Sequence, residues 1–162
     1  MNFKETLAKL EKSSEFKKFR KENPKAYLCA GFFVLDFESS QDTQQIDFQC
    51  EEKIAAFSVA NGITMKLEET AGKKKVPQIK PEIKIDVDEM QKIAGREIQK
   101  QKISTKLNKI IAILQMHDDN QIWNVTCIFA SLVMLRLHID VFSGGVLRAD
   151  KSSLFDFVQK PK

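Results

Sequence analysis

The sequence predicts an α+β protein: antiparallel β-sheet meanders with helices packed on one face. Two observations carry that expectation. The elements run helix, strands, helices, strands, short helix. Within the strand regions, short apolar or alternating runs are separated by turn residues, as in a meander. The 162 residues, 43% hydrophobic with 6 Gly and 4 Pro, exclude a disordered or collagen-like chain and fit one domain over residues 1–162.

The first helix spans about 3–22. Asn2 and Glu5 have the spacing of a capping box, and Phe3, Leu7 and Leu10 recur at helical intervals, extended by Phe16 and Phe19. Ser13-Ser14 is a place to bend or divide it, and Asn23-Pro24 stops it. Ala26 to Asp36 is a near-continuous apolar run, read as a central strand covered on both faces. Ile46, Phe48 and Cys50 alternate with Asp47 and Gln49 as a half-buried strand. Ile54 to Val59 is a third run. Asn61-Gly62 is the strongest hairpin signal, with Ile63, Met65 and Leu67 alternating beyond it. Residues 1–70 thus form a sub-half of helix plus four-strand meander. Residues 70–85 shift in composition, with Lys73-Lys74-Lys75, Pro77 and Pro81, and read as an extended segment tied down at intervals.

A second sub-half covers 83–162. Asp86 or Asp88 caps a helix whose stripe is Met90, Ile93, Ala94 and Ile98. Ile103, Leu107, Ile110, Ile111 and Leu114 form a further helical stripe, out of phase with the first, which reads as a second helix capped at Ser104 or Thr105 or as the continuation of one kinked helix. Ile122–Phe129 and Leu132–Val141 are strands joined near Ala130-Ser131, and Val146-Leu147 is a short third strand. Ser152 or Ser153 caps a last helix carrying Leu154, Phe155, Phe157 and Val158. Helix followed by meander in each half is the pattern of an internal duplication, although no residue-level repeat is visible.

Charge is segregated along the chain. Residues 1–25 carry 8 positive and 4 negative groups, 36–70 carry 2 and 8, 71–110 carry 11 and 5, and 111–162 carry 5 and 5. Residues 1–25 have no apolar leader core, and the longest apolar run, Ala26–Leu35, is too short to span a bilayer. The expectation is a cytoplasmic chain with no membrane contact. Cys29, Cys50 and Cys127 are then reduced, buried small hydrophobes.

Over about residues 83–148 the chain is similar to PepSY domains. Val87-Asp88-Glu89-Met90-Gln91-Lys92-Ile93-Ala94 resembles that family's helix opening, Ile122-Trp123-Asn124-Val125 its W-x-V strand, and Ile139–Leu147 its closing hairpin, in which Asp140 bonds turn amides. The resemblance implies a prokaryotic, including archaeal, family and a cystatin-like helix-on-sheet shape. It also implies a small non-catalytic binding or inhibitory module with no cofactor, and it transfers no catalytic residue. Departures are the missing export signal, the longer helical region and the uncovered residues 1–70.

Known chemistries lack their residues. His117 beside Asp118 and Asp119 offers two metal ligands at most from one turn. Cys127 and His138 are candidate cross-strand neighbours, but the apolar setting of Cys127 raises rather than lowers a thiol pKa. Phosphate-binding glycine motifs are absent. The function expected is therefore non-enzymatic: binding of a protein partner, a peptide or a small apolar ligand against the sheet, with Trp123 and Arg136 as contacts. A second reading is weak nucleic-acid association through phosphate contacts at Lys73, Lys74 and Lys75 and at Lys92, Arg96 and Lys100, spaced i, i+4, i+8 on one helix face. A third is a structural, self-associating subunit, as a homodimer, made by sheet-edge pairing or terminal-helix exchange.

Overall fold

The computed structural model describes residues 2–70 and 74–153. Its first two elements come from one sequence stripe. Helix α1 (Phe3–Lys12) starts where the Asn2 side chain accepts the Glu5 N–H at 2.8 Å. The single helix expected over 3–22 is divided, because Ser13 is extended at ψ 150°. Its hydroxyl oxygen accepts the Phe16 N–H and opens helix α2 (Ser14–Glu22).

Strands β1 (Tyr27–Asp36), β2 (Thr43–Cys50), β3 (Lys53–Ser58) and β4 (Thr64–Glu69) follow as a meander. Helix α3 (Val87–Lys100) precedes a second meander, β5 (Leu107–His117), β6 (Asn120–Phe129), β7 (Val133–Asp140) and β8 (Val146–Ser153). All pairings are antiparallel, in one eight-stranded sheet of order β4-β3-β2-β1-β5-β6-β7-β8. The order is mirrored about the β1–β5 seam, and each strand starts 77–82 residues after its counterpart.

Two expectations are corrected. Residues 107–114, read as a helix, form β5. Leu107, Ile110, Ile111 and Leu114 do recur at helical spacing, yet Ile110–Leu114 is equally a short continuous apolar run, which fits a buried strand as well as a helix. Pairing with β1 from Gly31↔Leu114 to Asp36↔Lys109 selects the strand, which suits its β-branched residues. Val146-Leu147 is not a short strand, because β8 runs on to Ser153. The last expected helix, Leu154 onward, lies outside the described residues.

The helices share one face of the sheet. Phe16 and Phe19 pack against Phe48 and Phe57 with ring centroids 5.0–6.1 Å apart. Phe3 meets Phe33, which meets Trp123 across the seam. Gly31 lets the ring come close, since a Cβ would stand a tight 3.3 Å from the Phe3 ring. Met90, Ile93 and Ala94 of α3 join the same core cluster.

The segment before α3 straps the halves together from this side. The Ile79 N–H donates to Leu28 O, Gln121 bonds both backbone groups of Lys80, and Lys84 and Ile85 donate to Val141 O. Ile79 and Ile83 are buried. Asp86 ends the strap, capping α3 through Val87 N–H and accepting the Phe3 and Lys4 N–H groups of α1.

Candidate functional site: the open face of the sheet

Side chains alternate across a strand, so each β-strand also presents a face away from the helices. On the helix side lie Phe33 and Leu35 of β1, Ile110, Ala112 and Leu114 of β5, and Trp123, Val125 and Cys127 of β6, all buried. On the other side lie Phe32, Val34, Ile111 and Ile113, all half-buried. Among the described residues no helix packs over them.

Register aligns this open face into rows. Phe32 pairs with Ile113, which pairs with Asn124, His138 and Arg148 in turn. Val34 leads through Ile111 and Thr126 to Arg136 and Asp150. The centre of the face is thus apolar and lies on the β1–β5 seam, and its β7–β8 end is charged. Thr126, Met134, Arg136, Arg148, Asp150 and Ser152 line a groove of about 320 Å³ at that end. The β2 end carries Gln45 and Asp47, joined by a 2.9 Å hydrogen bond. Burial holds the Asp47 carboxyl above its usual range against the lowering effect of that bond, and Glu68 pushes it further up.

At one corner His117 and His138 reach toward each other from β5 and β7, with ring centroids 4.8 Å apart. Ile122, on β6 between them and on the same face, is 1% exposed. Burial lowers the His138 pKa, and His117, Arg148 and Arg136 lower it further against the opposing pull of Asp150. His117 also lies 3.3 Å from the Asp118 carboxylate. Among the described residues no three His, Cys, Asp or Glu side chains gather as metal ligands.

The sequence-expected contacts separate. Arg136 is exposed and lines the open-face groove. Trp123 is fully buried on the helix side, where its indole N–H donates to Ile85 O, so it presents no surface to a partner and is corrected to a core residue. Lys92, Arg96 and Lys100 are exposed on α3, with Lys100 3.8 Å from Glu97. Lys74 and Lys75 are exposed, Lys75 beside Glu51 and Glu52 in a groove on the other half. Lys73 lies outside the described residues.

Cys127 and His138 do not meet. Cys127 pairs with Leu135 and faces the helices, whereas His138 faces the open side. Burial pushes the Cys127 thiol up to about 12. Sequence reasoning missed the central open-face residues Phe32, Val34, Ile111 and Ile113. The available signal was the unbroken, β-branched apolar run Ile110–Leu114, which the helical reading of the same residues absorbed.

Fold and face define a class: an α+β protein whose single antiparallel sheet carries helices on one side and, among the described residues, none on the other. Among solved structures the chain is similar to a putative lipoprotein from Clostridium difficile 630, with TM-score 0.60 and 10% identity over 85% of this chain and 90% of that one. That likeness is one of fold alone. No protein-family model and no curated protein matches the chain.

Proposed function

We propose that the chain is a non-catalytic binding module of the PepSY-like, cystatin-like kind, which engages a protein or peptide partner on the open face of its sheet. The observation that supports this reading is the apolar centre formed by Phe32, Val34, Ile111 and Ile113 on a face the described helices leave bare. A contiguous apolar patch rimmed by polar groups marks interaction sites in soluble proteins. Its lining suits a macromolecule better than a small apolar ligand, because half of the groove on that face is formed by Arg136, Arg148 and Asp150. Arg136 supplies a charge-assisted contact at the rim. Three unpaired thiols agree with a reducing compartment.

Site-specific photocrosslinking in the native host tests it. A benzophenone side chain at Ile113 or Thr126 is expected to trap one discrete partner, and the same probe at Gln91 on α3 is not. Equal capture from both faces, or capture from α3 alone, refutes the reading.

A further inference from the structure

The two edges of the sheet are not alike. β8 carries a register shift opposite His138/Ile139 and displays Arg148, Asp150 and Lys151. A bulge and charge are the usual devices that block strand addition. β4 pairs with β3 without a shift over six residues, is exposed at every position, and ends the sheet on its outer side.

The unpaired groups of β4 can be assigned. The Thr70 N–H donates to Glu52 O, so in this ladder the even-numbered residues of β4 exchange bonds with β3. The backbone N–H and C=O of Met65, Leu67 and Glu69 therefore point outward. Met65 and Leu67 are 46% and 51% exposed, on the helix side, where they floor a groove of about 740 Å³ beside Phe19. On the opposite side stand Lys66 and Glu68, 4.0 Å apart.

We propose that the occupant of this edge is a second copy of the chain, paired antiparallel through β4 about a two-fold axis at Leu67. In that register Leu67 faces Leu67, and Met65 faces Glu69 twice. All three pairs use the outward backbone groups. The intervening close pairs set Lys66 opposite Glu68, also twice. Antiparallel registers displaced by one step of the two-fold axis put Lys66 against Lys66 or Glu68 against Glu68, which costs rather than stabilises. Charge thus selects one register of a self-complementary edge, and the interface is isologous and closed. The product is a continuous sheet of both copies. The two-fold axis is perpendicular to that sheet, so both open faces lie on the same side of it.

Sedimentation velocity of the purified full chain over a concentration series tests the proposal. The wild-type protein is expected to show a monomer–dimer equilibrium. Lys66→Glu and Glu68→Lys each replace two attractive pairs by two repulsive ones and should weaken the dimer about tenfold. The double swap Lys66→Glu/Glu68→Lys restores opposite charges in the same register and should recover wild-type association. Leu67→Pro removes an outward N–H that β3 does not use, and should leave a folded monomer by circular dichroism. A wild-type monomer at every concentration overturns the proposal. So does a dimer unaffected by the single reversals, or a double swap that fails to recover.

Discussion

Asp86→Ala is the perturbation the structure prices most fully. Asp86 is 5% exposed, and its carboxylate accepts three backbone N–H groups: Phe3 at 2.7 Å, Lys4 at 3.2 Å and Val87 at 2.7 Å. Two of them open α1 in the first half and one opens α3 in the second. Losing the α3 cap costs about 1 kcal/mol. The Phe3 donor is buried and becomes an orphan, at about 1–3 kcal/mol. The Lys4 donor is only partly buried, so water takes part of its place. Asn2 still accepts the Glu5 N–H, so α1 keeps one cap.

The sum is about 3 kcal/mol, and with a urea slope of about 2 kcal/mol/M the midpoint falls by about 1.5 M. Asp86→Asn keeps an acceptor oxygen and loses the charge, and should cost about half as much. Urea unfolding followed by circular dichroism reads both. A loss below about 1 kcal/mol for the alanine variant would mean that water supplies all three donors and that the carboxylate does not tie α1 to α3.

Trp123→Phe removes the indole N–H that bonds Ile85 O and part of a fully buried side chain; about 2 kcal/mol should be lost in the same assay. Thiol labelling at pH 8 should modify at most Cys50, which is half-buried in the groove beside α2. Cys29 and Cys127 are buried with thiols pushed up to about 12, and should react only in denaturant. Two or three rapid native modifications would contradict the packing. The pKa of His138 is depressed in the fold, so the unfolded chain binds the proton first. Its contribution to stability is complete above about pH 6.5 and falls as the pH drops through the lower folded pKa. The wild-type midpoint should therefore decline more than that of His138→Gln between pH 7.5 and 5. The raised pKa of Asp47 acts in the opposite direction and is common to both proteins.

What could be read from the sequence was local chemistry. Asn2 and Glu5 announced the α1 cap, and Asp140 announced the turn that accepts the Phe142 and Ser143 N–H groups at 2.8 Å. The strap over 70–85, read as tied down at intervals, is tied at Val76, Ile79, Lys80 and Ile85. What could not be read was which face each strand residue takes. Trp123 was expected to contact a partner, but its register opposite Leu114 and Ile139 turns it toward the helices. Residues 107–114 satisfied helical and strand periods at once, and only pairing with β1 decides between them. The candidate site depends on that decision, since Ile111 and Ile113 join Phe32 and Val34 only when β5 is a strand.

The near-repetition of the two halves explains why the edges must differ. Joining two helix-plus-meander units at β1 and β5 uses one edge of each and leaves the equivalent strands β4 and β8 outermost. Were both flat and unguarded, each could add a strand, and a heterologous β4–β8 contact would propagate without closing. The bulge in β8 removes one of them. On β4 the acidic segment 36–70 keeps Lys66 as one of its 2 positive groups against 8 negative ones. That lysine stands one residue from Leu67, which places it opposite Glu68 of a second copy and gives the acidic edge an attractive partner in itself. In the proposed dimer, pairing β4 with β4 would consume the only flat edge each copy has among the described strands, so association would stop at two.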